Sequence, residues 1–60
     1  MKIEHWKIPV IYKGIPKGAF YFNCKNYTET KAREIAGIEF ARQFGEGWSL
    51  GETTKQFKEV

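Results

Sequence analysis

The sequence predicts a small α+β domain of β-β-α-β order, an antiparallel sheet with one helix packed across one face. Three observations predict it: an alternation of period two over residues 3–12, a Gly- and Pro-rich reversal at 13–18 that leads into an aromatic run, and a helical pattern over 28–44 with marked ends. Sixty residues make a single domain, 1–60, and a chain this short buries only roughly 60% of the surface its unfolded form exposes. Dense packing or a partner must supply the remaining stability. Ten aromatic residues provide large apolar side chains and set the chain apart from disordered sequences.

Over residues 3–12, Trp6, Ile8, Val10 and Tyr12 point one way while His5, Lys7, Pro9 and Ile11 point the other, the pattern of a half-buried strand. Pro9 has no N–H for a ladder, which predicts either an edge strand or a bulge near Pro9. The stretch KGIPKG, residues 13–18, supplies the Gly and Pro of a reversal. A second strand follows over 19–25, with Phe20, Phe22 and Cys24 on the core side and Ala19, Tyr21 and Asn23 outward.

The helix is bounded by Thr28 as N-cap, with Glu29 in the first turn where the helix dipole favours an acid, and by Gly45 in the left-handed position after Phe44. Ala32, Ala36, Phe40 and Phe44 form its apolar stripe, with Gly37 and Ala41 beside it. Gly37 costs up to about 1 kcal/mol relative to Ala, a cost that close approach of another backbone would explain. The glycines of 45–51 mark a loop around Trp48. The final stretch TTKQFKEV is either a short third strand, formed by Thr53, Thr54, Phe57 and Val60, or an unstructured tail.

Composition excludes several functions. With one Cys24 the chain has no intrachain disulfide, and with one His5 and no Asp it lacks a usual metal-ligand set or a catalytic triad. Cys24 reads as a small core hydrophobe, and no base stands within predicted reach of it. The segment GEGWSLG lacks the Lys and the strand-helix context of a phosphate loop. No enzyme and no cofactor are expected. Apolar runs are too short for a membrane span, and MKIEHWKIPV carries charges where a signal peptide needs an unbroken apolar stretch, so a cytoplasmic location is the expectation.

Two surfaces remain for function. The net charge of +3 is uneven: residues 1–26 carry +4 and residues 27–60 carry −1. The stretch KGAFYFNC, residues 17–24, begins like an RNA-recognition signature, but Ala19, Phe20 and Cys24 occupy positions where that signature requires an aromatic, a small residue and an aromatic. Only Tyr21 is left as an outward stacking ring. The outer hairpin face nevertheless groups His5, Lys7, Lys13, Tyr21, Asn23 and Lys25 without an acid, a composition that suits a phosphate backbone and equally suits a solvated sheet face. The segment FYFNCKNYTETKAREIA has the strand-helix order of a double-stranded RNA-binding domain, but Thr28, Glu29 and Thr30 stand where such domains place a basic helix start.

On the helix, Ile35 and Ile38 lie away from the apolar stripe. With Trp48 they make an apolar patch ringed by Lys31, Glu34 and Arg42, the layout of a protein contact with a polar rim. A partner, a second copy, the third strand or the Trp48 loop would cover it. The layout of a basic aromatic hairpin, a Thr-capped helix beginning TETKAREIA and a short final strand resembles small bacteriophage accessory proteins, among them an inhibitor of host RNA polymerase and several anti-CRISPR proteins. The resemblance implies a compact inhibitor or adaptor that binds a larger protein. The expected function is a non-enzymatic protein-binding module, with nucleic-acid binding by the basic hairpin face as the alternative.

Overall fold

A computed structural model describes residues 1–59, which form strands β1 (Lys2–Tyr12) and β2 (Ile15–Asn23), helix α1 (Glu29–Gln43), and strands β3 (Trp48–Leu50) and β4 (Thr54–Glu59). The fold is the expected small α+β domain, with one strand more than expected. Val60, one of the expected strand formers, lies outside the described residues. All strand pairings are antiparallel, and β1 takes part in each of them. One edge of β1 pairs with β2. Its other edge is shared, with residues 10–12 pairing to β3 and residues 2–7 pairing to β4.

The hairpin is tighter than expected. Its loop is only Lys13 and Gly14, at φ 48° and 82°, the two positive values that a type I′ turn requires to match the twist of its strands. Ile15, Pro16, Lys17 and Gly18 therefore belong to β2, not to the reversal. Pro16 is tolerated because β2 is an outer strand. The register slips by one residue at Lys17, since Val10 pairs with Gly18 and Ile11 with Pro16.

β1 is a central strand, so the edge alternative for Pro9 is overturned and the bulge alternative is what occurs. Residues 51–53 face only Ile8 and Pro9, one residue too many for continuous pairing, and this bulge separates β3 from β4. The C=O of Pro9 accepts from Gly51 N at 2.8 Å. A strand residue directs its N–H and C=O to the same side, so the donor that Pro9 lacks would have pointed into the bulge. Arg33 of α1 completes the segment, its Nη1 donating to Gly51 O at 2.9 Å and to Thr53 Oγ1 at 2.7 Å.

The even residues of β1 face the helix. Ile8, Val10, Ala32 and Ala36 are buried, and Trp6, Phe20, Phe22 and Leu50 pack around them. Phe20 and Phe22 stand opposite Ile8 and Trp6, while Tyr21, opposite Lys7, faces outward and is 60% exposed. The aromatic run is thus core for Phe20 and Phe22 and surface for Tyr21. Cys24 continues the inner face but lies beyond the buried core, half-exposed beside Glu4 and Lys25.

Thr28 caps the helix by accepting from Lys31 N at 3.2 Å. At the other end Phe44 turns extended and Gly45 does not adopt the left-handed conformation. The turn is made two residues later: Trp48 N donates to Gly45 O at 3.3 Å with Gly47 at φ 88°. This turn allows Phe44 to meet Trp48 at 4.6 Å and Trp48 to meet Tyr12 at 4.8 Å, which ties the helix end to the hairpin tip. Trp6 Nε1 donates to Tyr27 O at 2.9 Å and anchors the helix start. The helix therefore runs from the level of Trp6 to that of Tyr12.

No backbone approaches Gly37, where an added Cβ would meet nothing within 4 Å, contrary to the expectation from its mid-helix position. At Gly51 a Cβ would meet Ile11 Cδ1 at 3.0 Å and Pro9 Cβ and Cγ at 3.3 Å. Gly37→Ala should therefore stabilise the fold by up to about 1 kcal/mol, raising the melting temperature by roughly 4–8 °C, while Gly51→Ala should lower stability by about 1–3 kcal/mol. Thermal denaturation of the two variants checks both signs. In the same experiment Phe20→Ala and Phe22→Ala should each cost about 2–3 kcal/mol, below the range for a fully buried ring. Tyr21→Ala should cost about 0.5 kcal/mol or less.

Candidate functional site

Lys31, Ile35, Ile38 and Arg42 fall within one arc of α1, at 100° per residue, directed away from Ala32 and Ala36. Ile38 is 60% exposed and Ile35 is half-buried. Lys31 pairs with Glu34 at 3.6 Å and Arg42 with Glu39 at 3.8 Å, both on the exposed surface. Such pairs add little stability, but they fix a charged border on either side of Ile38. Trp48 does not join this patch. It packs between Tyr12 and Phe44 at the hairpin end.

The second surface is the sheet face opposite the helix, which no element of the described chain covers. Register places Ile3, His5, Lys7, Pro9 and Ile11 of β1 on it, flanked by Tyr21 and Asn23 of β2 and by Thr54, Gln56 and Lys58 of β4. No carboxylate shares this face among the paired positions of the described residues, because Glu4 and Glu59 are one residue out of phase with it. His5, Tyr21, Gln56 and Lys58 line a depression there of about 460 Å³, which at the β4 edge also reaches Phe57, a residue of the other face by register.

Two of the residues grouped by sequence leave this face. Lys13, in the turn, lays its Nζ over the Tyr12 ring at 5.4 Å and its stem beside Gly47, on the helix side of the sheet. Lys25, past the end of β2, lines an inner-face hollow with Glu4, Trp6 and Lys55. The pairing of β4 brings in Gln56 and Lys58, which sequence reasoning missed. Their alternation was visible, but a period-two pattern does not name the strand it pairs with.

The helix is about 22 Å long and β1 about 36 Å. Since α1 begins level with Trp6, residues 2–5 of β1 and the facing part of β4 extend beyond it, uncovered on both faces. Lys2, Lys7, Lys25, Lys55 and Lys58 gather at this end against Glu4 and Glu59, so residues 1–7, 21–25 and 54–59 together carry the whole net charge of +3. The remainder balances five cations against five acids. Lys55 bonds Glu4 at 3.2 Å and covers the Trp6 ring at 5.1 Å, which leaves Lys7 and Lys58 as the cations of the outer face.

His5 and Cys24 project to opposite sides of the sheet, since Cys24 N bonds to Glu4 O and His5 is opposite Asn23. They cannot act as a nucleophile and base pair. Among the described residues no group of three or more His, Cys, Asp or Glu is arranged to hold a metal, and no helix is long and apolar enough to cross a membrane. Comparison of the chain with protein-family models, with curated proteins and with solved structures returns no match.

Proposed function

We propose that the chain is a non-enzymatic protein-binding module, a compact adaptor or inhibitor whose contact is centred on Ile38 of α1. The observation that carries this reading is the amount of surface left over. The accessible area is 4495 Å², against about 4,000 Å² for a compact monomer of this mass. The radius of gyration is 11.9 Å, against about 10 Å for a domain of this length. Among the described residues only four are buried core, while Ile15, Tyr21, Ile38 and Phe57 are each more than half exposed. The excess of about 500 Å² amounts to half or more of what one side of a standard interface buries. Ile38 is the exposed large apolar residue with charge pairs on both sides, the arrangement of an apolar contact centre inside a polar rim.

Ile38→Lys should leave the fold within about 0.5 kcal/mol of the parent, since the side chain is already in water. It should weaken the partner complex at least about tenfold. The measurement is affinity capture from the source cells, followed by titration of the recovered, purified protein against the parent and the variant. Equal affinity for both would contradict the reading. Sedimentation equilibrium on the parent alone tests whether the partner is a second copy.

A further inference from the structure

We infer that the uncovered sheet face at the basic end binds single-stranded nucleic acid, with one base against Tyr21 and neighbouring phosphates on Lys7 and Lys58. This surface is independent of the Ile38 patch and lies on the other side of the molecule. Charge complementarity selects the occupant. The entire formal excess of +3 sits at this end, and the outer face presents Lys7 and Lys58 with no carboxylate among its paired positions, whereas the outward face of α1 mixes Lys31 and Arg42 with Glu34 and Glu39. A polyanion is therefore drawn to one side of one end.

The chemistry between the two lysines narrows the polyanion to one with bases. Tyr21, 60% exposed, stands opposite Lys7, and with His5 and Gln56 it borders the 460 Å³ depression that reaches Lys58. An aromatic ring accepts the face of any base, the Gln56 amide can both donate to and accept from a base edge, and the flanking ammonium groups meet phosphates. A duplex does not fit this arrangement, because its bases are stacked inside the helix and out of reach of a single ring on a sheet face. Helix α1 carries no excess positive charge with which to enter a groove. Tyr21 also lies outside the core, which leaves its ring free to stack at little cost to the fold.

Fluorescence anisotropy with labelled oligo-dT, oligo-rU and a duplex of equal length tests the inference, and the two single-strand arms tell DNA from RNA. At least one single strand should bind ten times or more tighter than the duplex. Its affinity should fall about 25-fold for a tenfold rise in salt, as two phosphate contacts require. Tyr21→Ala should weaken binding about tenfold, with Tyr21→Phe staying within about threefold of the parent by the same stacking argument. Lys7→Glu combined with Lys58→Glu should abolish binding, with Lys58→Glu alone as the substitute if the double variant does not melt like the parent. Lys13→Glu should leave affinity nearly unchanged, because Lys13 lies on the other side of the sheet. Absence of binding at low salt would overturn the inference. So would equal binding of duplex, equal competition by polyglutamate or anionic vesicles, or an equal loss in Lys13→Glu.

Discussion

Pro9 has no N–H to give, and it stands near the middle of the strand to which every other strand is bonded. A proline there would ordinarily leave a neighbouring carbonyl unsatisfied and break the sheet. The break occurs, but it is confined to the lane where β3 and β4 lie end to end. Gly51 donates to the Pro9 carbonyl and lies so near Pro9 and Ile11 that an added Cβ would press on both side chains, while Arg33 reaches across from the helix to bond Gly51 O and Thr53 Oγ1. The bulge thus adds a polar tie between helix and sheet to the small buried core of Ile8, Val10, Ala32 and Ala36. It also shifts the register by one residue, so that β4 meets β1 with Gln56 and Lys58 on the open face and with Lys55 and Phe57 on the other.

The helix divides the molecule in two. Over the span from Trp6 to Tyr12 the sheet is covered, and the buried aliphatic and small residues lie there with the aromatic chain of Phe40, Phe44, Trp48 and Tyr12 closing one end. Past Trp6 the helix stops while β1, β2 and β4 continue, and in that stretch Ile3, Glu4 and His5 are no more than half-buried. Packing is concentrated in the first region and net charge in the second. A small domain that extends a sheet beyond its core gives up apolar burial in doing so, and surface retained in that form is available for contact.

Much of this was legible in the sequence wherever a period or a cap carries the information. The alternation in β1 places Trp6, Ile8 and Val10 inward, the same parity places Phe20 and Phe22 beneath the helix with Tyr21 outside, and Thr28 marks the helix start. What was hidden depends on partners distant in the chain. Three residues, Trp48 to Leu50, are too few to show a period, so β3 read as a loop. Gly45 reads as the helix stop because a glycine after an apolar residue usually is one, whereas the turn that brings Phe44 against Trp48 is made at Gly47. Of the basic group, His5, Lys7 and Tyr21 share a face because parity within a hairpin fixes it. Lys13 and Lys25 lie in turns, where parity ends, and Lys58 arrives through a pairing that no local pattern announces.

The central claim is that β1 is bonded on both edges along its length, with β4 docked on the edge away from β2. Amide hydrogen exchange followed residue by residue by NMR tests this directly. In β1 both alternations should be protected: Trp6, Ile8 and Val10 through β2, and His5 and Lys7 through β4. In β2 protection should alternate, with Phe20 and Phe22 slow and Ala19 and Tyr21, whose amides point to the free edge, fast. Fast exchange at His5, Lys7 and the amides of β4, with Trp6 and Ile8 still protected, would show a two-stranded sheet with a loose C-terminal segment and would contradict the account.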